Sequence, residues 1–219
     1  MANTNAYIRY DIQPLTPTTS VADVKAIFAV HTYTHMPVVE NDFLIGNISE
    51  DDIPAFEDEH TIEEYRYTLD AFFVKKDTIW LDVLEAFARH DTNVMPVLDE
   101  KNEYIGYYEL IDIVSLFNET PFLNEPGGIL VVEKGMKDYS FSEVAQIIES
   151  NEGKLLGAFI SDSHDDIVQI TVKISGSGLN AIMQSFRRYN YVIISGNEDD
   201  LYLEELKTRS DYLKKFLDI

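Results

Sequence analysis

Apolar side chains in the first part of the chain follow a helical period and then two short strand-like runs. Four of them recur at helical spacing behind Ser20, which predicts an amphipathic helix with Ser20 as its N-cap. The runs Met36–Val39 and Phe43–Ile45, separated by an Asn-Asp turn, predict a hairpin. A second helix is expected from Ser49, with Asp52 completing a capping box. The four helical positions are Val21, Val24, Ile27 and Phe28.

This order of elements recurs 59 residues further along the chain. Residues 23–38 and 82–97 superpose without a gap and share a dense set of identities, and with one extra residue in the second copy the agreement resumes downstream. Two copies predict a pseudo-symmetric pair with a cleft between its halves, because a solenoid needs about three repeats. The identical pairs are Asp23/Asp82, Val24/Val83, Phe28/Phe87, Ala29/Ala88, His31/His90, Met36/Met95, Pro37/Pro96, Val38/Val97, Ile45/Ile105, Gly46/Gly106, Asp52/Asp112 and Ile53/Ile113. In the second copy the predicted elements are a helix with Val83, Leu84, Phe87 and Ala88 inward, a hairpin over 95–98 and 104–108, and a helix over 110–117.

A stretch rich in Pro, Gly and Asn at 119–127 breaks the periodicity and is predicted to be a linker. The pattern beyond it predicts β-α-β-β-α-β, the order of ferredoxin-like sandwiches, over residues 128–198. Residues 199–219 are predicted to form an amphipathic helix that either docks on its own sandwich or completes a dimer interface. The fold class expected is α+β. The predicted strands are 129–133, 155–161, 167–174 and 191–195, and the predicted helices are 142–150 and 179–189.

Composition narrows the classes of function. With 39 acidic and 17 basic residues the formal net charge is -22, a field that repels nucleic acid and anionic lipid. No apolar run has the length of about 18 residues that a membrane span needs, and the first ten residues lack the layout of a signal peptide. The absence of cysteine excludes disulfides, thiol catalysis and thiolate metal sites. We therefore expect a soluble cytoplasmic protein that binds neither nucleic acid nor membrane.

The sequence carries no pattern typical of a catalytic or metal site. The five histidines form no His-Glu-x-x-His motif, and there is no Gly-x-Ser-x-Gly elbow or P-loop. Asp162, Asp165 and Asp166 lie together, but without the spacing or the terminal Glu of an EF-hand. A non-catalytic protein without a resident metal is expected.

Both copies end in a short motif that resembles a known family. Met36-Pro37-Val38-Val39 followed by Gly46-x-x-Ser49-x-x-Asp52 is similar to the cystathionine β-synthase (CBS) domain, which occurs in tandem as a Bateman module. The resemblance covers two repeats, 6–62 and 66–118. It implies a nucleotide site in which the motif Asp holds ribose hydroxyls and the motif Ser reaches phosphate.

The second motif departs from this pattern. Gly106 and Asp112 are present, but Glu109 stands where the family has a hydroxyl, and a carboxylate there repels an anionic ligand. The first motif, with Gly46, Ser49 and Asp52, is therefore expected to carry the binding. The resemblance implies that Ser49 and Asp52 face Phe72, Phe73 and Val97, and that Asp112 faces Ile12, Pro14 and Val38.

Two alternatives stay open for these residues. The apolar ones are equally consistent with ordinary core, and Ser49 with Asp52 is equally consistent with a helix cap alone. Because acidic groups crowd both motifs, AMP, adenosine or cationic S-adenosylmethionine is favoured over a nucleotide with several phosphates, unless magnesium neutralises the site.

The second half resembles an ACT domain in order and length. Its first turn, 134–139, lacks the family's usual Asp-x-x-Gly or Pro-Gly, and Gly135 is the candidate for a close-approach glycine. A structural or dimerising role is therefore favoured over amino-acid binding. The whole chain resembles the acetoin-utilisation type of CBS protein, which implies regulation by ligand binding. We expect a regulatory homodimer that binds an adenosyl ligand and acts on a protein of unknown identity. The alternative is a ligand-free assembly platform.

Overall fold

The computed structural model describes residues 4–176 and 178–196. The chain divides into two compact units, Met1–Asn118 and Glu119–Ile219. The helix expected over 199–219 lies outside the described residues.

The first copy of the repeat contains one helix and one hairpin. Helix α1 (Val21–Val30) begins at Ser20, whose hydroxyl accepts from the Asp23 backbone N–H, as expected of an N-cap. Strands β1 (His35–Glu40) and β2 (Phe43–Ser49) pair antiparallel, and both residues of the turn between them have positive φ. The apolar face of α1 packs on the hairpin in a core that includes Val21, Val24, Phe28, Met36, Val38 and Ile48.

The helix expected from Ser49 is a 3₁₀ helix, Glu50–Ala55, with Pro54 inside it. Proline has no N–H to donate and its ring crowds the preceding turn, which is unfavourable for a regular α-helix. The Ser49 hydroxyl accepts from the Asp51 N–H at 3.3 Å, so Ser49 caps the helix without the reciprocal bond from Asp52 that a capping box requires. A second 3₁₀ segment, Ile62–Thr68, follows.

The second copy adds a short strand to the same plan. Strand β3 (Val74–Lys75), which the sequence pattern did not predict, runs parallel to β4 (Val94–Leu98), and β4 pairs antiparallel with β5 (Tyr104–Glu109). Helices α2 (Trp80–His90) and α3 (Leu110–Asn118) pack on this sheet. The expectation for Ala88 is wrong: it is exposed, and Ala86 packs on the core instead. Phe87 fills the inward position, and the next residue turns about 100° away from it.

The segment that leads into each copy crosses to the hairpin of the other copy. The lead-in of the second copy pairs at Asp70 with Asn47 in β2, and the lead-in of the first pairs at Arg9 with Tyr107 in β5. The motif glycines make this approach possible. A Cβ on Gly46 would lie 2.6 Å from Leu69 Cβ, and one on Gly106 would lie 2.5 Å from the Arg9 carbonyl oxygen. The two crossings interlock the copies and place each lead-in beside a motif.

The second unit contains four strands, β6 (Gly128–Gly135), β7 (Lys154–His164), β8 (Ile167–Ser175) and β9 (Val192–Ser195). They form an antiparallel sheet with the order β7-β8-β6-β9. Its element order is the β-α-β-β-α-β that the sequence pattern predicts, and its core lies between the sheet and the two longer helices, with Leu130, Val132, Ile147, Ile170, Val172 and Phe186 among its members. The helices are α4 (Pro121–Asn124), α5 (Phe141–Glu149) and α6 (Leu179–Arg188).

Two sequence expectations for this unit need correction. The predicted linker contains α4, because Pro121 is placed at the start of the helix, where its missing N–H costs nothing. The Phe122 ring packs on Gly157 so closely that a Cβ added to Gly157 would lie 2.6 Å from the ring. Gly135 does not have the predicted close-approach role, since a Cβ there would meet only the flexible carboxylate of Asp138, at 3.1 Å.

Candidate functional site

The two copies of the first unit meet at repeat-equivalent residues, Thr34 and Asn93. The Asn93 side-chain oxygen accepts from the Thr34 N–H at 2.9 Å, and the Thr34 hydroxyl accepts from the Asn93 N–H at 3.0 Å. The Asn93 amide also donates to the Thr32 carbonyl at 2.6 Å. These reciprocal bonds mark the pseudo-twofold axis, and the two motifs are arranged about it.

At the first motif, β2 delivers Gly46 and Ser49 and the 3₁₀ helix carries Asp52. Ser49 and Asp52 are half-buried. The Asp52 carboxylate makes no hydrogen bond or ion pair with any described residue of the chain. Asn47, which follows Gly46, is 1% exposed and ties the second lead-in to the motif, because its amide donates to the carbonyls of Asp70 and Phe72 at 3.1 and 3.0 Å. The first motif thus presents the Asp52 carboxylate without a partner from the described residues, so it is available to a ligand.

Aromatic and imidazole rings surround the lead-in beside the first motif. The buried Phe72 ring stacks on His90 with centroids 4.7 Å apart and meets His35 edge-on at 5.2 Å. His35 Nε2 lies 3.4 Å from the Asp70 carboxylate. Burial lowers the pKa of His35, with Asp70 opposing that shift. At neutral pH the imidazole is therefore mostly neutral.

The second motif differs from the first because a cationic side chain pairs with its carboxylates. Arg9 donates to both oxygens of Asp112, at 2.7 and 3.1 Å, and lies 3.3 Å from Glu109. The hydrogen bond to Asp112 is the main reason that the pKa of Arg9 is raised above its ordinary value. Tyr33 donates its hydroxyl to the other Glu109 oxygen at 3.1 Å. The two carboxylates of the second motif, Asp112 and Glu109, are therefore both bonded within the chain.

Tyr107 fixes the lead-in that carries Arg9. Its backbone exchanges two hydrogen bonds with Arg9, and its hydroxyl donates to Asp11 at 2.7 Å. This bond is the largest cause that lowers the pKa of Asp11, and burial is the largest cause that raises the pKa of Tyr107. Two backbone hydrogen bonds therefore hold Arg9 beside β5, independently of its side-chain contacts.

A cavity of about 350 Å³ opens beside the second motif. The pseudo-twofold contact, the Tyr33 ring and the first turns of α3 bound it, and Glu109 lies in its wall. Its lining is mostly apolar. The lining residues are Thr32, Tyr33, Asn93, Glu109, Leu110, Ile111 and Val114.

The other sequence-predicted site residues divide between core and surface. Val38 and Val97 are fully buried at 0% exposure, each paired across a hairpin with the motif glycine of its own copy. Ile12 is partly buried against the first core, whereas Phe73 is 47% exposed. For Val38 and Val97 the structure therefore favours the core alternative.

Sequence reasoning missed Arg9, Tyr33 and Asn93. One signal for Arg9 was available, since it is the only basic residue before Lys25 in a strongly acidic chain. Asn93 gave no signal, because the equivalent residue in the first copy is a threonine.

Two searches of the described residues bear on other classes of function. No group of three or more His, Asp or Glu side chains in 4–176 and 178–196 is arranged to hold a metal ion. Over the same ranges, no helix has both the length and the apolar character that crossing a membrane requires.

Protein-family models, curated proteins and solved structures each gave matches to this chain. A family model described as "CBS domain" matches residues 6–54 and 62–119. Inosine-5'-monophosphate dehydrogenase of Methanocaldococcus jannaschii is 25% identical over 141 residues, which is 64% of this chain and 28% of the dehydrogenase. The chain therefore matches little more than a quarter of that enzyme's length.

Two solved structures illustrate the structural matches. A CBS domain pair/ACT domain protein from Thermotoga maritima aligns with a TM-score of 0.49 at 17% identity, over 53% of this chain and 97% of that one. The protein CBSX2, solved in complex with AMP, aligns with a TM-score of 0.43 at 18% identity, over 52% of this chain and 95% of that one.

Proposed function

Residues 6–54 and 62–119 form a tandem pair of CBS domains, and from this premise we propose that the protein is a non-catalytic cytoplasmic regulator that binds an adenosyl ligand through Ser49 and Asp52. CBS domain pairs commonly bind adenosine ligands such as AMP and ATP and act as regulatory modules. The proposal assigns this activity to the first motif.

The observation that carries the proposal is the unequal state of the two motif carboxylates. Asp112 receives two hydrogen bonds from Arg9, whereas Asp52 has no partner among the described residues. A half-buried carboxylate without a partner loses part of its hydration and gains nothing in return. Paired ribose hydroxyls would supply the missing donors to Asp52.

The charge near the first motif narrows the ligand. Glu50 and Asp51 are exposed neighbours of Asp52, so a ligand with several phosphates meets repulsion there unless magnesium accompanies it. Ser49 already accepts from the Asp51 N–H, and its own hydroxyl hydrogen remains free to donate to one phosphate. AMP, adenosine and S-adenosylmethionine therefore fit best.

Thermal shift and calorimetry with AMP, adenosine, S-adenosylmethionine and ATP, with and without magnesium, test this function. We expect a concentration-dependent rise in melting temperature for at least one compound. Asp52→Asn should abolish it, while the matched control Asp51→Asn, one residue away and exposed, should retain it. The absence of any shift at millimolar ligand would refute the ligand proposal.

A specific observation supports the alternative of an assembly platform. In the four-stranded sheet of the second unit, the face opposite α5 and α6 exposes Ile129 (41%), Phe159 (46%) and Val192 (56%). We propose that this unit is an ACT-type sandwich and that the protein is a homodimer. A monomeric mass by light scattering at micromolar concentration would refute the dimer. A dimer that binds none of the four compounds would favour the platform over the sensor.

A further inference from the structure

We propose that Arg9 closes the second ligand position, so that each chain binds one adenosyl ligand where the repeat would allow two. This inference rests on the proposed function and specifies its stoichiometry. Arg9 is a specificity-determining residue in this view, because it decides which of two equivalent carboxylates remains free for a ligand.

The geometry shows that the Arg9 side chain occupies the motif carboxylate. Two of its guanidinium nitrogens donate to the two Asp112 oxygens, and one of them also reaches Glu109. A bidentate pair of this kind is among the strongest side-chain contacts and uses the same oxygens that paired hydroxyls would need. A ribose could reach Asp112 only by displacing Arg9.

The repeat itself shows that this contact is not required by the fold. Arg9 pairs with the residue after Gly106, and Asp70 pairs in the same way with the residue after Gly46. Arg9 and Asp70 are therefore structural equivalents with opposite charge. Asp70 gives Asp52 no cationic partner, whereas Arg9, at the equivalent position, gives one to Asp112.

The space beside the second motif remains open. The cavity of about 350 Å³ reaches Glu109 and Leu110, which are motif positions. Neither Arg9 nor Asp112 lines this cavity, so at Asp112 itself the Arg9 side chain is what blocks a ligand. Removal of that one side chain should open the second position.

Charge also predicts which ligand an opened position accepts. Without Arg9, Glu109 and Asp112 leave two carboxylates in the site, which repel a phosphate. Neutral adenosine should bind there, whereas AMP should not. Replacing Glu109 by the hydroxyl found in the first motif should then admit AMP as well.

Isothermal titration calorimetry with adenosine and AMP tests the inference on the full chain. We expect one adenosine per chain for the wild type, two for Arg9→Gln, and one again for Arg9→Gln/Asp112→Asn. The double variant Arg9→Gln/Glu109→Ser should bind two AMP. Lys25→Gln is the matched control, because Lys25 pairs with Asp58 in the same unit, and it should bind one. If Arg9→Gln unfolds, Arg9→Met preserves the aliphatic stem and serves in its place.

The outcomes separate this inference from the proposed function. Two adenosines on the wild type would overturn the role of Arg9 while leaving the function intact, as would a folded Arg9→Gln that still binds one. Loss of all binding in Arg9→Gln would make Arg9 a ligand contact and overturn its closing role. One adenosine on Arg9→Gln with none on the wild type would support the role of Arg9 and refute binding at the first motif.

Discussion

Asn93 offers the sharpest test of how the two copies are joined. Its side chain makes three hydrogen bonds across the pseudo-twofold axis, two accepted from Thr34 and one donated to Thr32, at 2.9, 3.2 and 2.6 Å. Asn93→Ala removes all three and leaves the half-buried Thr34 N–H without a partner. Asn93→Asp keeps the acceptor toward Thr34 and loses the donor toward Thr32.

The expected magnitudes follow from this count. A hydrogen bond contributes about 0.5–1.5 kcal/mol net, so three bonds give about 2–3 kcal/mol once the exposure of Thr32 is allowed for. Asn93→Asp should cost about 1 kcal/mol, because one bond is lost. With a urea dependence of about 1–3 kcal/mol per molar, Asn93→Ala should lower the unfolding midpoint by about 0.7–3 M.

Urea unfolding followed by tryptophan fluorescence measures this directly. Trp80 is the only tryptophan in the chain and stacks on Phe117 within the same unit, so its emission reports on the unit that contains Asn93. Asn118→Ala, an exposed asparagine at the end of α3, is the control and should change stability by less than about 0.5 kcal/mol. If Asn93→Ala matches this control, the reciprocal bonds add nothing over hydration and the reasoning is refuted.

Three further predictions concern the fold and its pH dependence. Gly46→Ala should cost about 2–4 kcal/mol in urea unfolding, because its Cβ would lie 2.6 Å from Leu69 Cβ; an unchanged midpoint would contradict this. The bond from Tyr107 lowers the pKa of Asp11, so its contribution is present above the unfolded pKa of about 4 and is lost as pH falls through the folded pKa. The stability gap between wild type and Tyr107→Phe should therefore narrow between pH 6 and pH 3, and a constant gap would disprove the coupling. Burial raises the pKa of Tyr191 to about 12, so the wild type should lose up to about 3 kcal/mol more than Tyr191→Phe from pH 9 to pH 12, measured by circular dichroism; parallel curves would argue against it.

Local periodicity predicted most of the fold because it reports directly on burial. The spacing of Val24 and Phe28 predicted α1, and the two apolar runs on either side of the Asn-Asp turn predicted β1 and β2. Periodicity did not predict the structure of two segments, in which proline or shortness, and not burial, determines the backbone conformation. Pro54 made a 3₁₀ helix of the segment after Ser49, and β3 has only two residues, too few for any period.

The candidate site was less predictable than the fold. The motif spacing located Asp52 and Asp112, but nothing in that spacing shows that Arg9, 103 positions away from Asp112, binds one of them. The partner becomes visible only when the lead-in crosses to the other copy. Sequence reasoning also treated Glu109 as an isolated repulsive charge, whereas the structure pairs it with Arg9 and Tyr33.

The unequal motifs have a consequence for how binding could become a signal. A ligand shifts a conformational equilibrium only by its different affinity for the two states. If both halves bound the same ligand equally, the pair would respond symmetrically about the Thr34–Asn93 contact. If the ligand binds at Asp52 alone, as proposed, it acts on the first motif only, while Arg9 remains bound to Asp112 in the second. The Thr34–Asn93 bonds must then bend or break unless the halves move as one body. Calorimetry on Asn93→Ala separates these cases: an adenosine affinity equal to that of the wild type indicates rigid motion, and an increased affinity indicates that binding works against the contact.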